Sequence, residues 1–386
     1  MNRRQFLTSC SLAGCSPLAA SIGSAANEQG TKVTTTSKPS IRSQIIRLEL
    51  KHAWTIARGT ADFKENVLVF YERDGLTGLG EAGHLTAAGQ TAAQTVQGVE
   101  RLIPLYEQVN PFEFADLPDE AGRVVGVTPP ARAALEMALL DWVGQKLGLP
   151  LHRLFGLNPR RKVATSFTIG LDKPEVMRQK VREAEAFHFI KVKLGRPDDE
   201  EIIKGLRAVT DKPIRVDANE GWPEKETAIK RLAWLEKQNI EFVEQPLPRR
   251  MIEETRWLKE RTPLPLVADE SVAVARDIPG LVGAFSGINI KIMKAGGVLE
   301  AWRMFQLARV LNLDTMLGCM IETSIAISAA VQLQSLARWV DLDGSLLLRD
   351  DPFEGPLLKG DCWQVATGPG LGIRAKSTRP PGQPQP

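Results

Sequence analysis

The sequence predicts an α/β protein in which a (β/α)8-type barrel follows an α+β N-terminal capping domain. Three observations carry that expectation. Between residues 159 and 345, short apolar runs ending in polar residues alternate with helical patterns about eight times, as a parallel sheet with crossover helices requires. Charged residues close five consecutive runs, and Lys193, Asp217, Glu244, Asp269 and Lys294 fall roughly 25 residues apart, one βα unit each. Upstream, strand-like runs precede one long helical pattern, so the first domain is built differently from the second.

Taken in order, residues 1–26 form a separate element. Arg3 and Arg4 stand directly before Phe6-Leu7 and a small-residue apolar stretch without charge, which resembles a twin-arginine export signal. Leu12-Ala13-Gly14-Cys15 resembles a lipoprotein cleavage box. Cys15 is then either a lipidated terminus or part of a peptide cleaved near Ser24-Ala25-Ala26. The expected location is the periplasm or cell envelope, with lipid at Cys15 the one route to a membrane. Residues 27–43, rich in Ser, Thr, Lys and Gly, read as a linker.

The capping domain is expected over 44–158. Ile45–Leu50 and Val67–Tyr71 read as strands around a polar loop, Trp54–Thr60. Asp74-Gly75 is a hairpin signal leading into Leu76–Glu81. From Ala88 to about Gln145 the pattern turns helical, with Ala134, Leu135, Ala138, Leu139 and Trp142 on one stripe. Barrel strands are expected at Ser166–Gly170, Ile190–Leu194, Ile214–Asn219, Glu241–Gln245, Leu266–Ser271, Ile288–Lys294, Thr315–Met320 and Trp339–Asp343. The segment 346–386 is expected to return to the cap and end in a tail.

Composition removes several functions. An apolar share of 43%, a charged share of 25% and a net charge of +3 give no reason to expect nucleic acid or an anionic surface as partner. Four cysteines without CxxC spacing and four histidines argue against a disulfide framework or a His-rich metal site.

Barrel enzymes carry chemistry at the C-terminal ends of strands. Three carboxylates converging there, Asp217, Glu244 and Asp269, repel one another unless a hard cation joins them, and oxygen donors favour Mg2+ or Mn2+ over zinc. Lys193 and Lys294 flank them in strand order. That arrangement suits removal of a proton beside a carboxylate by one amine and its return by the other, through a metal-stabilised enediolate.

Lys191-Val-Lys193, Asp217-Ala-Asn219, Glu244-Gln-Pro246, Asp269-Glu-Ser271 and Ile288-Asn-Ile-Lys-Ile-Met-Lys294-Ala-Gly-Gly297 resemble the enolase superfamily, muconate-lactonizing subgroup, over about residues 44–373. Within it the chain is similar to the dipeptide epimerases, on the strength of Asp341-Leu-Asp343. The resemblance implies a Mg2+-dependent isomerase acting on a dipeptide whose ammonium group meets Asp341 and Asp343. It also implies that Glu322 and Thr168 line the pocket. Lys191 either polarises the substrate carboxylate or forms a structural ion pair. Arg58 either grips an acidic side chain or is a surface arginine, and it stands a position away from where Glu-specific epimerases carry theirs. A cycloisomerase or an o-succinylbenzoate synthase-like enzyme is the nearer alternative, and its substrates offer no ammonium group to the Asp pair. A non-catalytic exported dipeptide-binding protein is the distant one. Oligomeric state is open, a homo-oligomer included.

Overall fold

The computed structural model describes residues 37–376, apart from 57–58, 84, 86–88, 171 and 173. The signal-like segment, Cys15 and Arg58 lie outside the described residues.

Three antiparallel strands open the fold: β1 (Ser40–Ile56), β2 (Gly59–Arg73) and β3 (Leu76–Gly83), in sheet order β1-β2-β3. Two expectations are corrected here. Residues 40–43, read as linker, already pair with β2. The Trp54–Thr60 loop is instead largely the end of the hairpin, where the ladder resumes at Trp54↔Ala61 after a register shift. Period-2 reading misses such a ribbon, because its backbone pairs are satisfied without either face needing an apolar pattern.

Helices α1 (Ala92–Gln108), α2 (Leu117–Gly122) and α3 (Pro129–Leu147) cover the sheet, and the short α4 (Leu151–Leu154) leads into the barrel. Thr128 caps the start of α3 and Gly148, at φ 67°, ends it in the left-handed region that glycine adopts at least cost. The helix is buried from Ala131 to Gly144 almost without interruption. It lies directly on β3 because Gly80 has no Cβ; any side chain there would run into the Ala134 carbonyl.

Among the described residues eight parallel strands make the second sheet: β4 (Ser166–Ile169), β5 (Phe189–Lys193), β6 (Ile214–Asp217), β7 (Ile240–Glu244), β8 (Leu266–Ala268), β9 (Gly287–Lys291), β10 (Asp314–Gly318) and β11 (Trp339–Asp341). Neighbours in sequence are neighbours in the sheet, and a parallel bridge between Thr165 and Val340 brings its two edges together. The expected barrel is therefore present. Helices α5 (Pro174–Glu183), α6 (Asp199–Arg207), α7 (Lys225–Leu235), α8 (Ile252–Lys259), α10 (Val298–Val310) and α11 (Ser324–Leu333) pack outside it, and a one-turn α9 (Ile292–Ala295) follows β9.

Phe242, Val267, Met316 and Trp339 form a layer inside the barrel. Arg215, 1% exposed, lies over the Phe189 ring at 4.1 Å and donates to Glu241 Oε2 (2.7 Å) and the Val340 carbonyl (2.6 Å). The barrel is thus filled below its mouth, as such barrels are.

Buried cap carboxylates dock the two domains. Glu81 on β3 accepts from Asn66 Nδ2 (2.8 Å), Thr323 N (2.9 Å) and Thr323 Oγ1 (2.6 Å), at the N-terminus of α11. Glu136 on α3 accepts from Leu299 N (2.9 Å) at the start of α10. Asp141 accepts from Leu371 N (2.7 Å), so the C-terminal segment does return to the cap, where Pro150 and Gly370 also pair.

Glu81→Ala takes the acceptor from Thr323 N and Oγ1 in a dry interface and leaves Asn66 only the Ile321 carbonyl. It is expected to cost about 1–3 kcal/mol, read as a fall in unfolding midpoint; a midpoint unchanged from wild type would show that this contact does not hold the domains together. Glu136 supplies a pH test. Burial lifts its carboxyl to about 7, against the Leu299 and Val298 amides and Arg303, with Glu300 adding to the rise; Arg132 on its own helix and Tyr106 on α1 also face it. The folded state then holds this proton more tightly than the unfolded chain, so ionisation costs stability as pH rises from about 4.5 to above 7. Glu136→Gln is expected to match wild type near pH 5 and to be the more stable protein at pH 8. The same difference at both values would remove the assignment.

Candidate active site

The parallel register sets the first geometric fact. Lys193, Asp217 and Glu244 are directly paired across β5, β6 and β7, one rung at the C-terminal rim. Asp269 stands one residue past β8, so the fifth barrel strand ends earlier than expected. Ligand oxygens of Asp217, Glu244 and Asp269 lie within 4.8 Å of one another, and all three residues are buried. Strand alternation points Lys191 inward with Lys193, and Asn289 inward with Lys291.

The lysines distribute themselves over the carboxylates. Lys193 Nζ donates to Asp217 Oδ2 at 2.6 Å. Lys294 Nζ donates to Asp269 Oδ1 and to its carbonyl, the latter at 2.6 Å. The two lysines therefore flank the triad from opposite ends. One correction concerns Lys294, which is not a strand end: β9 stops at Lys291, and Lys294 lies on the α9 turn, out of phase with the strand. Lys291, overlooked as a site residue, donates to Asp269 Oδ2 at 3.0 Å. The alternation Asn289, Lys291 would have revealed it.

Lys191 is 2% exposed and bridges two groups of acids. Its Nζ is 2.7 Å from Glu244 Oε2, 2.8 Å from Asp341 Oδ2 and 3.5 Å from Asp217 Oδ2. Glu244 Oε1 accepts from Asn289 Nδ2 at 2.7 Å, while Oε2, despite its proximity to Lys191, has no aligned hydrogen-bond donor. Lys191 is thus the only charge facing that oxygen among the described ion pairs, and it is shared with Asp341 and Asp217. Three buried carboxylates, each with an oxygen within 4.8 Å of the others, make a donor set that fits a hard divalent metal.

Electrostatics follow the pairing. Burial pushes the Asp217 carboxyl up, but Lys193 and Lys191 outweigh it and hold it below the ordinary value. The same contest, won by Lys291 and Lys294, holds Asp269 low. Glu244 is raised by burial and by Asp217. Burial lowers the Lys294 amine despite Asp269, whereas Asp341 and Glu244 overcome burial and raise Lys191 far above its usual value. Glu270, also overlooked, is lifted to about 7 by burial and Asp269, and accepts from Asn219 Nδ2 at 3.2 Å.

Gln245 places Asp269. Its φ of 37° is sparsely populated for a non-glycine residue. Its Oε1 accepts from Asp269 N (3.0 Å) and Ser271 N (3.1 Å), locking the loop after β8 to the end of β7.

The Asp341–Asp343 pair is less symmetric than the sequence suggests. Asp341 accepts from Ser166 Oγ (2.6 Å) and Lys191 Nζ (2.8 Å), so an internal cation already faces it. Asp343 Oδ2 accepts from Thr168 N at 2.7 Å, and among the described residues no lysine or arginine forms an ion pair with it. Burial and Asp341 lift Asp343 to about 6. Thr168 and Glu322 are both buried, and Glu322 is raised to about 8 by burial and Glu81.

Comparison with known proteins agrees with this architecture. Residues 42–156 match the mandelate racemase / muconate lactonizing enzyme N-terminal domain, and residues 175–379 match the enolase C-terminal domain-like family. The chain is 40% identical over 327 residues to the L-Ala-D/L-Glu epimerase of Bacteroides thetaiotaomicron, covering 84% of this chain and 85% of that one. It is 36% identical over 343 residues to the L-Ala-D/L-amino acid epimerase of Pedosphaera parvula, covering 85% and 97%. It superposes with a TM-score of 0.81 and 32% identity on the dipeptide epimerase of Enterococcus faecalis V583 complexed with Mg and L-Leu-L-Tyr, covering 88% and 99%. The chain belongs to the enolase superfamily and, within it, to the dipeptide epimerases.

Proposed function

We propose that this protein inverts the Cα next to the carboxylate of a dipeptide, with Lys193 and Lys294 as the two proton carriers. The observation that carries the reading is the placement of those amines on the outer carboxylates of the triad, Asp217 and Asp269. A substrate carbon held above Glu244 then has an amine on either face.

Asp217, Glu244 and Asp269 would hold the metal, Mg2+ by their donor chemistry and Mn2+ as the other hard candidate. When bound, the cation supplies positive charge against the substrate carboxylate and so acidifies the neighbouring C–H. The protein side chains carry the rest. A neutral lysine takes the α-proton and becomes an ammonium; the opposite lysine, protonated at the outset, gives its proton to the other face and ends neutral. Burial of Lys294 favours its neutral form, which suits the accepting role. Lys191, locked between Glu244 and Asp341, keeps positive charge near the substrate carboxylate.

Asp343, with Asp341 behind it, is the acceptor for the substrate ammonium group. Glu322 and Thr168 close the pocket around it. Arg58 is the group we assign to an acidic side chain on the second residue, if the substrate has one. We further propose that residues 1–26 direct export by the twin-arginine route, with Cys15 either a lipid attachment point or part of a peptide cleaved near Ser24-Ala25-Ala26. An envelope location would give the enzyme the mixed-chirality dipeptides of peptidoglycan turnover. No helix among the described residues is long and apolar enough to cross a membrane.

Lys294→Ala is expected to lower kcat for epimerisation by about 10²–10⁴-fold, followed as inversion at Cα by polarimetry; undiminished inversion would remove Lys294 from the proton path. Chelation should abolish inversion and added Mg2+ restore it. Activity that persists after exhaustive chelation would overturn the role of the triad.

A further inference from the structure

Beside Asp343 lies a cavity of about 280 Å³ that the catalytic groups do not fill. Its walls are mainly apolar, with Leu50 from β1, Phe167 and Phe187 from the β4–α5 unit, and Leu346 and Leu358 from the C-terminal segment. Its charged rim is engaged elsewhere. Lys180 pairs with Asp172 at 3.2 Å and Glu183 with His52 at 3.4 Å, while Lys51 is exposed. A charged ligand group would find no buried unpaired counter-charge there, and an apolar one would leave both pairs intact.

The cavity and the carboxylate share their supports. Thr168 lines the cavity and its backbone N–H donates to Asp343 Oδ2 at 2.7 Å. Leu346, another wall residue, donates its N–H to the Asp343 carbonyl at 2.9 Å. In an amino-terminal residue the ammonium nitrogen and the side chain branch from the same carbon. A dipeptide whose nitrogen is fixed at Asp343 must therefore put its first side chain within a bond or two of that carboxylate, and Thr168 and Leu346, both hydrogen-bonded to Asp343, are walls of this cavity.

We propose that the cavity receives the side chain of the substrate's amino-terminal residue and selects an apolar one larger than a methyl group. The inference rests on the dipeptide reading and on Asp343 as the ammonium acceptor. Size supports the choice: a single water takes up roughly 30 Å³, so an alanine methyl would leave most of the space unfilled. A branched aliphatic or aromatic side chain would exchange water for contact with Leu50, Phe167 and Leu346. One methylene in such a pocket discriminates by about 10–200-fold in kcat/KM.

The test is deuterium incorporation in D2O with Mg2+, using dipeptides that begin with Ala, Val, Leu, Met or Phe and end in Glu or Leu. The expected result is a kcat/KM at least about 10-fold higher for Leu- or Phe-first than for Ala-first substrates within one series. Ala53 also lines the cavity, and Ala53→Trp is expected to collapse that ratio toward one. Should that variant fail to fold, Leu346→Phe is expected to do the same. A ratio near one in the wild type, an Ala-first preference, or a ratio untouched by a filling substitution would overturn the proposal while leaving dipeptide epimerisation in place. No incorporation with any dipeptide would overturn both.

Discussion

Burying four carboxylates at one barrel mouth is the constraint around which the molecule is organised. Asp217, Glu244, Asp269 and Asp341 would repel one another strongly in a medium that screens poorly. Lys191, Lys193, Lys291 and Lys294 match them in number and divide themselves among them. Such balance is worth little without fixed directions, because unpaired lone pairs inside a network cost more than the network returns. Asn289, Gln245 and Ser166 supply those directions from the strands below and beside the acids. The strained backbone at Gln245 is tolerated because its side chain is committed to the loop that carries Asp269.

The cap belongs to the same arrangement. Glu81 is bonded to Thr323, and Asn66 donates to the carbonyl of Ile321, so both grip the residues on either side of Glu322. Docking of the first domain and placement of one wall of the pocket are thus one set of hydrogen bonds. Carboxylates at the N-termini of α10 and α11 are well suited to this, because the amides there lack partners within their own helices.

Much of this was legible in the sequence because barrel chemistry is ordered along the chain. Lys193, Asp217, Glu244 and Asp269 each follow an apolar run, and the parallel register then carries three of them to one level. Lys294 was legible by its motif rather than its phase, since it belongs to a turn after the strand. Lys291 was hidden by its neighbour for the same reason. What the sequence withholds is long-range pairing. Lys191 and Asp341 lie 150 residues apart, and Glu81 and Thr323 are 242 apart; no local pattern joins them. The extended hairpin is missed because backbone pairing alone makes a ribbon and needs no apolar alternation.

Arg215 and the aromatic layer beneath the site have a further effect on proton traffic. With the guanidinium stacked on Phe189 and the Phe242, Val267, Met316 and Trp339 side chains filling the interior, the floor under the lysines is closed by protein atoms. Protons exchanging between these amines and bulk water must then pass the mouth, on the side that faces the cap. Exchange of these amines with bulk water is therefore tied to the seam between barrel and cap, far in sequence from the lysines themselves.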